Sequence, residues 1–88
     1  MRIAVYPGTF NPITNGHTDL VERAARLFDK IIVAVGTNTQ KGKGLAASRR
    51  VALATEVLKE VDNVEVVSFD GLLTDFVREK GANIILRG

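Results

Sequence analysis

Residues 6–17 read YPGTFNPITNGH. Two prolines, two glycines and two asparagines in twelve residues rule out a continuous helix or strand across the stretch. On its amino-terminal side, RIAVY (Arg2 to Tyr6) is apolar and β-branched, the composition of a strand. On its carboxyl-terminal side, His17, Leu20, Val21, Ala24, Leu27 and Phe28 recur at the spacing that shares one helix face. Strand, tight turn and helix make the start of a βα unit, and the only histidine of the chain sits at the joint.

The same alternation continues along the chain. IIVAV (Ile31 to Val35), VEVVSF (Val64 to Phe69) and NIILR (Asn83 to Arg87) are further short apolar runs, and their near-continuous apolarity suits strands covered on both faces. Between them, Ala47, Val51, Ala54, Leu58 and Val61 share a helical face, as do Leu72, Leu73, Phe76 and Val77. The pattern is βαβαβαβ, an α/β fold with a Rossmann-like parallel sheet. Right-handed crossovers then put the first strand in the middle, with the fourth strand beside it on the side away from the second. Ligands of such sheets bind beyond the carboxyl ends of the strands at this switch point, so His17 and Arg87 are expected to face one crevice. The chain stops at Gly88, where the fourth strand would hand over to its loop; residues 1–88 are expected to be a single, incomplete domain, truncated after its fourth strand, the alternative being that another chain covers the open edge.

Composition narrows the chemistry. With 45% hydrophobic and 25% charged residues the chain has neither a disordered nor a coiled-coil composition. No apolar run reaches the length of a membrane span, and the amino terminus meets a turn too early for a signal peptide; the cytoplasm is the expected location. There is no cysteine and one histidine, which excludes disulfides and thiolate metal sites and argues against a histidine zinc site. A net charge of +2 does not call for nucleic acid. Its distribution is uneven, because no acid lies between Asp29 and Glu56 while Lys30, Lys41, Lys43, Arg49 and Arg50 do, and this points to a local anionic ligand.

In the opening stretch, each proline holds the residue before it extended. Gly8 and Gly16 remove side chains where a phosphate could approach. His17 falls in the first helical turn, where free N–H groups and the positive dipole end favour an anion and a neutral imidazole that donates one hydrogen bond. The plainer alternative is that His17 is a packing residue one turn ahead of Leu20 and Val21, and that Thr14 is only an N-cap. Lys41 stands in a loop whose lysines are either solvated or ligand-binding. Arg87 either pairs with an acid or grips a phosphate with its guanidinium. Arg49 and Arg50 read as a solvated helix face.

Together, the GTF turn and Thr14-Asn15-Gly16-His17 resemble the signature of the nucleotidyltransferase superfamily, a GTF-type turn followed by an [HT]-x-G-H motif. More narrowly, the Tyr-Pro-Gly-Thr-Phe start, RAARLFDKIIVAV, NVEVV.F.GLL..F and the closing ILRG resemble the bacterial phosphopantetheine adenylyltransferase family, without gaps from Met1 to Gly88. The resemblance implies the nucleotidyltransferase fold and transfer of AMP from ATP to 4′-phosphopantetheine, giving dephospho-coenzyme A and pyrophosphate, with Mg²⁺ sharing the triphosphate charge. It implies that Thr9 and His17 contact the ATP phosphates, with His17 stabilising the transition state and Thr9 also touching the acceptor phosphate. Lys41 and Arg87 would bind the phosphopantetheine as part of the catalytic set, Leu73 would line its pantetheine arm, and Phe10 and Gly88 would lend backbone to the nucleotide site. It also implies a homo-oligomer.

Phosphoryl chemistry suits these groups. The nucleophile is already an anionic phosphate, so no general base is needed, and the task is to hold two anions together and stabilise charge on the α-phosphoryl oxygens. Some positions depart from the family: Asn11 replaces its usual Asp, and KGKGLAASRR lacks its larger apolar residue near Ala46 and its Glu-Arg pair at 49–50. The family also continues past residue 88 into further site residues, so the 88 residues alone are expected to hold part of the site and to have little activity. A P-loop reading of GTNTQKGKG has one residue too many before Gly42-Lys43 and Gly44 where a Ser or Thr is needed. The remaining alternatives are a sister nucleotidyltransferase with another acceptor, and a non-catalytic half-domain that binds an anion or serves in assembly.

Overall fold

The structure, a computed structural model, describes residues 1–37 and 46–87. The elements follow in the order expected: β1 (Ile3–Gly8), α1 (Asn15–Ala25), β2 (Lys30–Gly36), α2 (Ala47–Val57), β3 (Val64–Phe69), α3 (Leu73–Glu79) and β4 (Ile84–Ile85). The strands form one parallel sheet in the order β3-β2-β1-β4, so β1 is flanked by β2 and β4 as the crossover argument requires.

The sheet has a thick and a thin side. Tyr6, Ile31, Val33 and Val35 face α1 and α2, packing with Phe10, Val21, Ala24 and Leu58. Val5, Ile32 and Ala34 face the other way, toward Leu73, Phe76 and Val77 of α3. Both faces of β2 are therefore covered, and none of Ile31 to Val35 is more than 2% exposed.

Two helix faces differ from their sequence expectation. Leu27 is 68% exposed, because α1 ends at Ala25 and its last turn tightens: Leu27 N–H donates to Ala24 O at 2.9 Å. An i to i−3 turn rotates the next side chains off the buried stripe. Phe28 stays half-buried beneath the Arg2 guanidinium, 4.7 Å from its ring centroid. Leu72, also 68% exposed, precedes α3 as its extended N-cap rather than joining its buried face.

The fourth strand is shorter than the apolar run Asn83 to Arg87, and Pro7 explains where it stops. Asn83 N–H donates to Ile3 O at 3.1 Å and Leu86 N–H to Val5 O at 2.8 Å, while Arg2 O accepts from Lys30 N–H at 3.3 Å. Odd residues of β1 thus turn their backbone groups toward β4 and even residues toward β2. The next rung toward β4 would need the N–H of residue 7, which proline lacks. Pairing ends after Ala4↔Ile84 and Val5↔Ile85, so at the switch point the carboxyl ends of β1 and β4 are not paired with each other, while β1 stays paired with β2 to Gly8.

At the opposite edge, Asn63 locks the exit of α1. Its side-chain amide donates to the carbonyls of Ala25 at 2.9 Å, Phe28 at 3.1 Å and Asp29 at 3.4 Å, the first being one that the end of a helix leaves without a partner and the other two belonging to the connection into β2. Asn63→Ala is expected to destabilise the fold by about 2 kcal/mol. Asn63→Asp should cost more, since a carboxylate cannot donate to carbonyls. A urea titration checks both, as a lowered midpoint at unchanged slope.

Candidate functional site

Beyond Gly8 the chain makes a sharp change of direction. Phe10 has φ +50°, a left-handed conformation uncommon for a side chain of this size. Phe10 is only 3% exposed, so its ring turns inward, edge-on to Tyr6 with 5.3 Å between centroids and to His17 with 4.9 Å. Such edge-to-face contacts favour one arrangement of the rings over others of equal area. A Cβ on Gly8 would lie 3.0 Å from the edge of the Phe10 ring, which gives the glycine of the GTF turn a packing reason.

The Asn11–Pro12 peptide is cis, and Thr14 then caps α1. Its side chain accepts from His17 N–H at 3.4 Å, while its own N–H donates to His17 Nδ1 at 2.9 Å. This is a reciprocal capping box with histidine at the position where Glu or Gln commonly stands. Because Nδ1 is the acceptor, a neutral imidazole carries its proton on Nε2. The N-cap and ligand readings of the stretch are therefore not rivals: the cap sets the tautomer and leaves an Nε2–H donor.

A cavity of about 610 Å³ lies here, lined among others by Tyr6, Gly8, Phe10, Thr14, Gly16 and His17. It sits at the amino-terminal end of α1, where helix dipole and free N–H groups favour an anion. Burial pushes the Tyr6 phenol above its ordinary range, so that wall stays uncharged at neutral pH. Asp19 and Arg23 pair at the rim at 3.0 Å, both well exposed.

Thr9 is exposed at the turn, directly beside this cavity in sequence. Arg87 is exposed just past β4, on the same sheet edge as the end of β1, but it is not among the residues lining the cavity. Leu73 opens α3 and is half-buried on the opposite face of the sheet. Lys41, with its neighbour Lys43, and Gly88 lie outside the described residues.

The reading of Arg50 is corrected. Arg49 is exposed, but Arg50 is 2% exposed, and its Nη1 donates to Thr9 O at 2.9 Å and to Gly36 O at 2.6 Å. From the first turn of α2 it ties together the ends of β1 and β2. The signal was present in the spacing: Arg50 stands four residues before Ala54 and eight before Leu58, the two buried positions that follow it on α2's inner face and just past its end.

Residues 5–88 match the cytidylyltransferase-like family. The chain is 59% identical over 87 residues to phosphopantetheine adenylyltransferase of Xylella fastidiosa (strain 9a5c), covering 99% of this chain and 54% of that protein. It is 53% identical over 88 residues to phosphopantetheine adenylyltransferase of Clostridium beijerinckii, covering all of this chain and 55% of that protein. The chain thus spans about half the length of these curated relatives. Among solved structures, a NadR protein in complex with NAD and AMP-PNP superposes with a TM-score of 0.68 at 26% identity, over 78% of this chain and 20% of that one. A putative nicotinate-nucleotide adenylyltransferase from Vibrio parahaemolyticus gives 0.74 at 23% identity, over 96% and 55%, a likeness of fold.

Proposed function

We propose, since this chain belongs to the cytidylyltransferase-like family, that it forms the amino-terminal half of a pantetheine-phosphate adenylyltransferase, which transfers AMP from ATP to 4′-phosphopantetheine. The observation that carries this reading is the 53–59% identity to proteins of that name across essentially the whole chain. The site agrees with it: an Nε2–H donor, a helix amino terminus and a glycine turn meet at one cavity, which suits phosphate oxygens.

In this reading the ATP phosphates lie over the end of β1. His17 Nε2–H donates to the α-phosphoryl oxygens as charge builds, Thr9 contacts the phosphates of both substrates, and Phe10 and Gly88 lend backbone groups to the nucleotide. Lys41 and Arg87 hold the acceptor phosphate, and Leu73 lines the pantetheine arm. Mg²⁺ bound to the triphosphate would share its charge. Among the described residues no helix is long and apolar enough to cross a membrane, and cytoplasmic placement and self-association go with the reading.

The test uses this chain and a chimera in which residue 88 is followed by the carboxyl-terminal half of the Xylella relative. With Mg-ATP, the folded chimera is expected to release pyrophosphate only when 4′-phosphopantetheine is present, and the chain alone to release little. Release with nicotinamide mononucleotide instead would assign a different acceptor. No acceptor-dependent release from a folded chimera would leave only the non-catalytic, anion-binding half-domain.

A further inference from the structure

Arg50 lies outside the cavity, yet it holds the backbone that shapes it. Its guanidinium is 2% exposed and bonds the carbonyls of Thr9 and Gly36, one from the turn after β1 and one from the last residue of β2. The Thr9–Phe10 peptide is trans, since Asn11–Pro12 is the cis bond among the described residues, and in a trans peptide the C=O and the following N–H point in opposite directions. Drawing the Thr9 carbonyl toward α2 therefore turns the Phe10 N–H away from α2.

The same peptide carries the unusual φ of +50° at Phe10, a conformation that costs free energy for a non-glycine residue and persists only where its surroundings over-determine it. A peptide flip between residues 9 and 10 would relieve it. Such a flip would also swing the carbonyl off Arg50 and aim it where the N–H now points.

We propose that Arg50 is a positioning residue: by fixing the Thr9 carbonyl it holds the Thr9–Phe10 peptide in its left-handed orientation and presents the Phe10 N–H to an anionic phosphate in the His17 cavity. This rests on the reading of that cavity as a phosphate site, but not on the identity of the acceptor. The second bond, to Gly36 O, makes the arrangement depend on the end of β2 as well, so the last residue of β2 and the turn after β1 share one anchor.

The test titrates inorganic pyrophosphate into ¹⁵N-labelled chain and follows the Phe10 amide together with the melting temperature. In the wild type the Phe10 amide is expected to shift on binding. Arg50→Met should weaken pyrophosphate binding about tenfold or more, the loss expected for one hydrogen bond to a charged group, with the Phe10 amide no longer responding. Arg50→Lys keeps a cationic donor on a stem about one bond shorter, and should recover part of both. If Arg50→Met does not fold, the comparison of Arg50→Lys with wild type decides. Unchanged affinity and an unchanged Phe10 response in a folded variant, whatever its melting temperature, would mean that Arg50 only supports the fold. A Phe10 amide silent in the wild type would equally overturn the proposal. Failure of the chimera to use 4′-phosphopantetheine touches neither result.

Discussion

His17→Ala in the chimera is expected to lower acceptor-dependent pyrophosphate release by about 10²- to 10³-fold, the usual loss when one preorganised donor to developing charge is removed. It should also cost about 1 kcal/mol of stability, because the Thr14 N–H loses the Nδ1 that completes the capping box. His17→Asn separates the two effects. An asparagine side chain places an oxygen near the position of Nδ1, so the cap is retained while the Nε2–H is lost. It should be nearly as stable as wild type in urea and nearly as inactive as His17→Ala in single-turnover assays. Activity restored by asparagine would show that the cap, rather than the Nε2–H, is what transfer requires.

That separation bears on how much of the molecule could be read in advance. Element order, strand order and the joint at residues 6–17 followed from periodicity and from the crossover rule, because a doubly covered parallel sheet writes its pattern into nearly every apolar residue. The double role of His17 was half legible: spacing placed it in the first helical turn, but nothing in the sequence says that the Thr14 N–H meets Nδ1. Arg50 was misassigned because residue type was trusted over its register with Ala54 and Leu58. The early end of β4 has the converse cause: Pro7 has the residue type of a turn, although it continues β1 and interrupts only the rung that faces β4. For His17 and β4 the missing information was a backbone direction, which sequence patterns carry only through their exceptions; for Arg50 the register itself carried it.

Phe10 offers the second large effect, and it turns on such a direction. Its ring is 3% exposed and wedged between Tyr6 and His17, so Phe10→Ala should destabilise the chain by about 3 kcal/mol or more. It also removes one wall of the imidazole's seat, so transfer in the folded fraction should fall as well. Ordinarily a glycine at the same position would be worse still, since it loses more backbone freedom on folding. Here the order reverses. At φ +50° an alanine keeps the Cβ that makes this region unfavourable, whereas glycine occupies it freely, so Phe10→Gly should be more stable than Phe10→Ala by about 1 kcal/mol. Urea midpoints of the two variants measured side by side decide the matter. A glycine variant less stable than the alanine variant would show that the turn relaxes out of the left-handed region once the ring is gone, and that the ring itself, wedged against His17, was what held Phe10 there.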